Sequence, residues 1–306
     1  MNIAIVIPTF NAGHLWPSVI DSVKNQTCKI KNIVIVDSGS TDNTRALAEE
    51  NGFEVHAINQ ADFDHGGTRQ FALSLLKNID IAVFLTQDAI LADSNAIQEL
   101  VDAFNDTSIS AAYGRQLPRL NASAIEIHGR LFNYPDTSMI KKLSDLDSLG
   151  FSLIFISNAF AAYRISALNE IGGFPSNIIL GEDTYACANL LKKRGHIAYQ
   201  ANATVYHSHD YTIWQEATRY FDTGVFHARE SWLIKKFGNT SNRGLKFIQS
   251  ELLYLLQNNI LRIPESIIRT ILKYGFYKLG KVEEKIPLPF KKHLSMNKMF
   301  WVNNHK

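Results

Sequence analysis

The chain of 306 residues has only two cysteines, Cys28 and Cys187, and no apolar run that reaches the ~18 residues needed to cross a bilayer. Two thiols make neither a disulfide framework nor a thiolate metal site. The first residues, Met1 to Ile7, lack the basic segment and the cleavage site of a signal peptide, and a buried strand is the better interpretation. These absences argue against a disulfide-rich secreted domain and favour a cytosolic protein with reduced thiols.

Net charge is also small, because 31 Lys and Arg nearly balance 29 Asp and Glu. Residues 235–306 nevertheless hold 14 basic and 4 acidic residues, a net charge of +10, whereas residues 1–234 hold 17 and 25, a net charge of −8. An acidic body argues against a general nucleic-acid-binding protein. A basic tail suits an anionic membrane surface, although it could also dock on the acidic body.

A glycine-rich phosphate loop is missing as well. Gly13 follows the first predicted strand, but residues 11–14, NAGH, match neither the dinucleotide-binding fingerprint nor a Walker loop. A phosphate ligand would therefore have to be neutralised by a metal ion and by a cationic side chain, for which Arg69 is the candidate.

Strand and helix patterns alternate through the first half of the chain. Short apolar runs are typical of buried parallel strands, and this order predicts a doubly wound, mostly parallel α/β sheet with ligand loops at the carboxyl ends of its strands. From about residue 212 the pattern is helical. The predicted strands are residues 3–7, 32–36, 53–58, 81–86, 109–114, 152–156 and 197–200, and the predicted helices are residues 14–27, a segment through 45–48, 68–77 and 182–194.

Acidic side chains follow several of these strands. Asp37 ends the second strand, Asp88 follows the fourth, and Glu182 and Asp183 open a helix after Gly181. One such carboxylate is usually a helix cap or a solvated loop residue, but three acidic features at strand ends converge on one crevice. A hard divalent cation takes oxygen ligands and stabilises a leaving diphosphate. The acids therefore predict a metal-dependent site for a nucleoside diphosphate.

Two motifs carry a resemblance to a known family. Residues 5–11, IVIPTFN, followed by residues 35–42, IVDSGSTD, resemble the beginning of family 2 glycosyltransferases, which have the GT-A fold. Three further stretches are similar to those of bacterial rhamnosyltransferases in that family: DFDHGGTR at 62–69, FLTQDA at 84–89 and HSHDY at 207–211.

The resemblance covers roughly residues 1–235. It implies a GT-A catalytic domain over 1–235, with a nucleotide-binding half at 1–110 and an acceptor half at 111–235. A basic, amphipathic helical tail over 236–306 would follow this domain.

Donor-binding residues are implied position by position. Asp37 would accept a hydrogen bond from the pyrimidine N3–H, and Arg69 would lie by the base and the diphosphate. His65 could instead cap the helix that follows it. The full set is Pro8, Thr9, Asn11, Asp37, Ser38, His65, Gly66, Arg69, Thr86 and Gln87.

Asp88 occupies the last position of the family's Asp-x-Asp metal motif, so the resemblance implies that Asp88 and His207 bind Mg²⁺ or Mn²⁺. His209 is the alternative ligand, and we expect at most one of the two histidines to face the metal. Thr86 stands at the first position of the motif and offers no second carboxylate. Asp183 would be the general base, with Glu182 beside it.

The tail predicts two amphipathic helices. Apolar residues between Phe247 and Ile263 form one face, Pro264 interrupts it, and a second apolar face follows over 267–279, with basic residues largely on the other side. Such a helix can lie in a membrane interface, pack on the catalytic body or meet a dimer partner, and we favour the membrane.

The resemblance and these residues imply an inverting glycosyltransferase that moves L-rhamnose from dTDP-L-rhamnose to a hydroxyl of a glycan or lipid-linked oligosaccharide in bacterial surface polysaccharide (O-antigen) assembly. We expect it in the cytoplasm, peripherally on the inner membrane. One alternative is a transferase of another hexose from a UDP- or GDP-sugar. A second is a non-catalytic sugar-nucleotide-binding protein, which the set Asp37, Asp88, Asp183 and His207 disfavours because binding alone needs no general base.

Overall fold

The computed structural model describes residues 1–209, 211–238 and 241–303, so Asp210 of the HSHDY motif lies outside the described residues. The described strands join in one sheet of nine. The strands are β1 (Ile3–Thr9), β2 (Asn32–Asp37), β3 (Glu54–Ala57), β4 (Ile81–Leu85), β5 (Ile90–Leu91), β6 (Ile109–Leu117), β7 (Met139–Lys141), β8 (Phe160–Arg164) and β9 (His196–Tyr206).

Helices surround the sheet and dominate the chain after β9. They are α1 (Trp16–Lys24), α2 (Thr44–Glu50), α3 (His65–Leu75), α4 (Ala96–Val101), α5 (Ala124–Asn133), α6 (Leu146–Leu149), α7 (Ile165–Glu170), α8 (Glu182–Lys192), α9 (Ile213–Arg229), α10 (Ser231–Phe237), α11 (Ser241–Asn258), α12 (Ile263–Gly280), α13 (Leu288–Leu294) and α14 (Lys298–Asn303).

The predicted parallel half is confirmed. The sheet order is β3-β2-β1-β4-β8-β6-β9-β5, and β3, β2, β1 and β4 run parallel to one another. Alternate side chains of β1 serve two apolar clusters: Ile5 packs with Trp16 of α1 on one face, and Val6 packs with the cluster that includes α8 on the other. Because both faces are covered, the strands are continuously apolar. The carboxyl ends of β1, β2 and β4 therefore meet at one edge.

The second half of the sheet is mixed, and one predicted strand there is wrong. Residues 152–156 do not form a strand, since a 3₁₀ turn occupies Gly150–Ile154, and the strand is β8, antiparallel between β4 and β6. Leu153 and Ile154 are fully buried in that turn. A short apolar run signals burial without fixing the backbone conformation, which explains the error.

Helix α3 begins at His65, three residues before the predicted start. Asp64 is its N-cap and accepts the Gly67 N–H at 2.5 Å, so His65 is the first helical residue and not the cap. Glycine disfavours a helix interior, but Gly66 has no substitute here. A Cβ at Gly66 would lie 1.8 Å from the Pro175 carbonyl oxygen and 3.3 Å from the Glu182 Cβ. The missing side chain lets α3 approach the start of α8.

The tail folds onto the catalytic body. Helices α9 and α12 cross at Gly224 and Gly280, where a Cβ at Gly224 would lie 2.2 Å from the Tyr277 carbonyl oxygen. Arg269 of α12 pairs with Glu216 of α9 at 2.8 Å, which joins the basic tail to the acidic body. Further along, Trp301 is fully buried in the apolar cluster that also contains α8. No helix among the described residues is long and apolar enough to cross a membrane.

Candidate active site

Asp88 and both histidines of the HSH segment lie together. His207 Nε2 is 3.4 Å from Asp88 Oδ1, and His209 Nδ1 is 3.6 Å from Asp88 Oδ2. The expectation that only one histidine can face Asp88 is therefore wrong. Residues two apart on an extended segment lie on the same face, and the two rings meet edge to face at 4.4 Å just after β9 ends at Tyr206. One potential ligand atom from each residue lies within 4.8 Å of the other two.

A second layer of hydrogen bonds orients His207. Its Nδ1 lies 2.8 Å from Gln116 Oε1, which also accepts a 2.7 Å hydrogen bond from Arg130 Nη1. Because that oxygen can only accept, Nδ1 carries the proton and Nε2 presents a lone pair. Nε2 is buried and has no hydrogen-bond partner among the described residues. This is the arrangement of a metal-ligating imidazole, in which the second nitrogen is fixed by a hydrogen bond.

The protonation of the cluster also suits a cation. Burial lowers the pKa of His207, and burial is also the largest cause that lowers the pKa of His209 to about 3. Burial alone would raise the pKa of Asp88, but the neighbouring His207 and His209 lower it below its usual range. Neutral imidazoles and an ionised carboxylate are the forms that bind metals, so this donor set fits a divalent ion.

Arg119 is a cation at this cluster that the sequence did not predict. It follows β6, its Nη2 donates to the Asp88 carbonyl oxygen at 2.7 Å, and the same nitrogen lies 3.4 Å from Asp88 Oδ2. Its Nε is buried and has no hydrogen-bond partner in the part of the chain that the structure describes. The guanidinium therefore has donor capacity left for an anion at the same place.

Asp37 stands at the end of β2 and is fully buried. Its Oδ2 accepts from Thr9 Oγ1 at 2.9 Å and from Ser40 Oγ at 2.5 Å, and its Oδ1 accepts from the N–H groups of Gly39 and Ser40. These four bonds satisfy the carboxylate within its own loop. The pyrimidine of a bound nucleotide can hydrogen-bond to Asp37 only if the half-buried Ser40 hydroxyl moves away from Oδ2.

The loops after β1 and β4 are tied to each other and to the Asp37 loop. Asn11, which has a positive φ of 45°, accepts the Thr41 N–H at 2.8 Å through its side-chain oxygen. Gln87 accepts the Phe10 N–H at 2.7 Å and donates to the Phe10 carbonyl oxygen at 3.1 Å.

Pro8 pairs with Val36 in the same edge of the sheet. The buried Ser38 hydroxyl has no hydrogen-bond partner within the described residues, and the Thr86 hydroxyl lies beside Asp88, whose pKa it helps to lower.

Glu182 and Arg69 form a buried ion pair behind this edge. Arg69 Nη1 lies 3.1 Å from Glu182 Oε1, and both side chains are less than one tenth exposed. Arg69, predicted to lie by the base and the diphosphate, is thus held against α8, and it also donates to the His65 carbonyl oxygen of its own helix α3 at 2.8 Å. Glu182 is occupied by Arg69 and by Asn158 Nδ2 at 2.9 Å. Glu182 therefore lies beside Asp183 with its carboxylate already paired, and it is not available as a general base.

Asp183 has the electrostatics of a base. Its Oδ1 accepts the Thr184 N–H at 2.7 Å, and its Oδ2 accepts the Asn158 N–H at 3.3 Å. Burial and the negative charge of Glu182 raise the pKa of Asp183 to about 7. A carboxylate with a pKa near the operating pH is poised for proton transfer.

Ser157 and Asn158 connect the two halves of the site. Ser157 Oγ accepts a 2.9 Å hydrogen bond from Gln116 Nε2, whose oxygen orients His207, and the adjacent Asn158 contacts Glu182 and Asp183. Ser157 and Asn158 were not among the predicted site residues, because the segment just before them, residues 152–156, was expected to be a strand. The available signal was two polar residues inside an otherwise apolar stretch, which in a buried segment need hydrogen-bond partners.

His65 and Gly66 lie behind the site at the start of α3. His65 Nε2 lies 3.2 Å from Asn297 Oδ1 of the tail, and burial lowers the pKa of this imidazole. Gly66 serves the close approach of α3 described above, and His65 joins α3 to the tail.

The comparisons with known proteins agree with this geometry. The sequence profile of "Glycosyl transferase family 2" matches residues 4–172. The O-antigen chain rhamnosyltransferase RfbN of Salmonella typhimurium is 44% identical over 304 residues, which are 99% of this chain and 97% of that protein. The O-antigen chain rhamnosyltransferase WbaN of Salmonella anatum is 42% identical over 98% of this chain and 95% of that protein.

Solved structures share the fold at low identity. A mannosyltransferase from Pyrobaculum calidifontis, in complex with GDP-Man and Mn²⁺, superposes with a TM-score of 0.59 at 14% identity and covers 100% of this chain and 86% of that one. Glucosyl-3-phosphoglycerate synthase from Mycobacterium tuberculosis has a TM-score of 0.54 at 19% identity, with 78% and 80% covered. The fold is the GT-A type of nucleotide-sugar transferases. The chain belongs to glycosyltransferase family 2.

Proposed function

We propose that this enzyme transfers L-rhamnose from dTDP-L-rhamnose to a hydroxyl of a lipid-linked glycan during O-antigen assembly, on the cytoplasmic face of the inner membrane. The rhamnose assignment is supported by the two O-antigen chain rhamnosyltransferases, which match nearly the whole chain at 44% and 42% identity. The observation that carries the transfer chemistry is the connected wall formed by Asp183, Asn158, Ser157, Gln116 and the histidine cluster of Asp88.

Asp88, His207 and His209 would hold a divalent cation. Two imidazoles beside one carboxylate favour Mn²⁺ over Mg²⁺, because Mg²⁺ prefers an all-oxygen shell. When bound, the ion would supply Lewis-acid stabilisation of the charge on the departing diphosphate. Arg119, with free donor capacity beside Asp88, would bind the same diphosphate oxygens.

Asp183 removes the proton from the acceptor hydroxyl. The hydroxyl oxygen attacks the anomeric carbon of the donor sugar, and the bond from that carbon to the departing diphosphate breaks. The Asn158 and Thr184 N–H groups hold the carboxylate in place, and the Glu182 charge keeps its pKa near neutrality. Arg69 in turn neutralises Glu182, so that only one of the two adjacent carboxylates competes for the proton. One displacement without a covalent intermediate inverts the configuration of the sugar.

The donor nucleotide would lie along the edge formed by the ends of β1, β2 and β4. Pro8, Thr9, Asn11, Ser38, Thr86 and Gln87 all belong to that edge or its loops. These residues fall in 1–110, whereas the base and the histidines fall in 111–235, which supports the division into a nucleotide-binding half and an acceptor half. Residues 236–306 form the tail that packs on both.

Donor hydrolysis tests the proposal without knowledge of the acceptor. The purified chain is incubated with Mn²⁺ and, in separate reactions, dTDP-L-rhamnose, UDP-glucose, UDP-galactose and GDP-mannose, and release of the nucleoside diphosphate is measured. We expect release from dTDP-L-rhamnose above all others, and its loss in Asp183→Asn. Preferred cleavage of a UDP- or GDP-sugar would replace rhamnose by another hexose. Tight dTDP binding with no release from any donor, and no transfer to a lipid-linked glycan extract, would leave a binding protein.

A further inference from the structure

Helix α12 turns an apolar stripe toward solvent. Ile267, Ile268, Ile271 and Tyr274 are 47%, 49%, 63% and 65% exposed, and their spacing places them on one side of the helix. Arg269 and Lys273 occupy the opposite side, where they pair with Glu216. The usual polarity of a surface helix is therefore reversed along this stretch, since Arg269 and Lys273 face the protein and the isoleucines face outward.

The stripe continues into the turn between α11 and α12. Ile260 and Leu261 are 60% and 86% exposed in that turn. From Leu261 to Tyr274 the surface extends for about 20 Å along the helix, at roughly 1.5 Å per residue. An apolar strip of this length on an otherwise ordinary surface indicates a contact with another apolar phase or molecule. We call Ile260, Leu261, Ile267, Ile268, Ile271 and Tyr274 the α12 stripe.

Positive charge flanks the α12 stripe. Arg262 is exposed at one end, and Lys278, Lys281 and Lys285 are exposed at the other. Arg262 and Arg269 pair with Glu265 near the first end, so the excess of positive charge lies mainly at the end with the three lysines. Glu284 is the exposed acid in this segment, so the net charge around the stripe remains positive. Apolar side chains with lysine and arginine at their margins match a bilayer interface that carries anionic lipid headgroups.

Two other occupants fit less well. A second copy of the chain would bring two cationic margins together, which repel each other. The catalytic body already holds the opposite side of α12 through Gly224, Gly280 and the Glu216 ion pairs, so it cannot cover the stripe as well.

We propose that the α12 stripe is the surface by which the enzyme docks on an anionic lipid bilayer. The stripe lies in the interface without spanning it, and α9 and α12, locked at Gly224 and Gly280, fix the catalytic body relative to the lipid. This inference rests on the proposed function in one respect: a lipid-linked acceptor gives the enzyme a reason to bind a membrane. The exposure and charge that carry it are independent of the donor sugar.

Vesicle co-sedimentation of the full-length chain tests the docking. Vesicles of phosphatidylcholine alone are compared with vesicles that contain phosphatidylglycerol as well. We expect binding to the anionic vesicles and little to the neutral ones, and weaker binding in about 0.5 M salt because the Debye length then falls well below 10 Å. The affinity of the double variant Ile267→Gln/Ile271→Gln for the anionic vesicles should be lower by about ten-fold or more, because it removes two apolar side chains from the interface.

Ile140→Gln on β7 is the matched control, since Ile140 is also half exposed but lies in residues 111–235, outside the α12 stripe. It should bind like the unchanged chain, and all three proteins should release dTDP from the donor at the same rate in vesicle-free buffer. Equal vesicle binding by the double variant, or no binding by the unchanged chain, would overturn the proposal. So would a dimer in analytical ultracentrifugation that the double variant dissociates. Vesicle binding without donor turnover would leave the docking intact and refute the proposed transfer.

Discussion

Arg69 Nη1 lies 3.1 Å from Glu182 Oε1 in a buried ion pair, and this pair separates the roles of two adjacent carboxylates. The Arg69 charge and the Asn158 amide lower the pKa of Glu182 against its burial. Asp183 forms no ion pair among the described residues, and burial with the Glu182 charge raises its pKa to about 7. Neighbouring carboxyl groups whose pKa values are driven apart are the mark of an acid–base site. We therefore assign Asp183 as the proposed general base and Glu182 as a positioning residue.

The pH dependence of the rate follows from this pair. Transfer should decline as the pH falls through about 7, where Asp183 becomes protonated. Glu182→Gln removes the negative charge that helps to raise that pKa, so the acidic limb should move to lower pH. The measurement is kcat/KM for donor and acceptor across pH for both proteins, with the exposed Glu170→Gln as control. An unmoved limb in Glu182→Gln would mean that Asp183 does not feel this charge or is not the titrating base.

Asp183→Asn separates catalysis from binding. A general base acts on the acceptor hydroxyl in the transition state and contributes little to holding the donor. Turnover should fall by about 10²-fold or more, while dTDP affinity stays near that of the unchanged chain. If Asp183 only complemented the N-terminus of α8, the thermal midpoint would fall and activity would follow the folded fraction. A folded Asp183→Asn protein with full turnover would refute the base assignment.

Metal dependence tests the histidine cluster. EDTA should abolish transfer, and Mn²⁺ should restore it better than Mg²⁺. Gln116→Leu removes the hydrogen bond that fixes the His207 tautomer and should weaken Mn²⁺ affinity by about 10- to 100-fold, measured by calorimetry in the presence of dTDP. His209→Gln should weaken it as well, because both rings lie at Asp88. Full activity after exhaustive chelation would remove the metal from the mechanism.

Substitutions at Asp37 test how the pyrimidine of the donor nucleotide is recognised. Asp37→Asn places an amide N–H₂ among four hydrogen-bond donors, so we expect a lower thermal midpoint and dTDP binding weaker by roughly 1–3 kcal/mol. Ser40→Ala removes the hydroxyl that occupies Oδ2 and frees this oxygen for the pyrimidine N3–H. It should keep or improve dTDP affinity. Reduced stability in Asp37→Asn with unchanged dTDP affinity would restrict Asp37 to supporting its loop.

The sequence predicted the part of the fold whose signals are local. The runs in β1, β2 and β4 are continuously apolar because both faces are covered, and the acids at their ends were placed at the correct edge. The expectation that only one of His207 and His209 faces the metal was wrong, because side chains two residues apart on an extended segment lie on the same face. The contacts of Arg69 and Arg119 were not accessible from local patterns, since the ion pairs of Arg69 with Glu182 and of Arg119 with Asp88 join residues far apart in the chain.

The tail was predicted as helical and basic, but the direction of its faces was not accessible from the pattern. An amphipathic period gives two opposite faces and does not say which one is inside. Here the acidic Glu216 draws Arg269 and Lys273 inward, and the isoleucines are left outside. Only the position of α9 decides between the two orientations.

The last prediction concerns Asp222 of α9, which fastens the end of the tail to the catalytic body. Its Oδ1 accepts from Ser295 Oγ at 2.6 Å, and its Oδ2 accepts the N–H groups of Met296 and Asn297 at 3.0 Å each. Asn297 in turn contacts His65 at the start of α3. Asp222→Ala leaves these donors without their acceptor, which should lower the free energy of unfolding by about 2–4 kcal/mol, since hydrogen bonds to charged groups contribute about 1.5–3 kcal/mol and buried unpaired donors cost more.

Urea unfolding measures that loss, and limited proteolysis should show earlier cleavage after residue 288 in Asp222→Ala. Asp222→Asn keeps the shape and one acceptor oxygen, so its stability should lie between the two. Asp21→Ala on the exposed side of α1 is the control and should change stability little. Because Asn297 holds His65 on the helix that carries Arg69, dTDP release should also fall in Asp222→Ala under conditions where the protein remains folded. Unchanged stability and cleavage in Asp222→Ala would mean that the apolar contacts of Trp301 alone hold the tail.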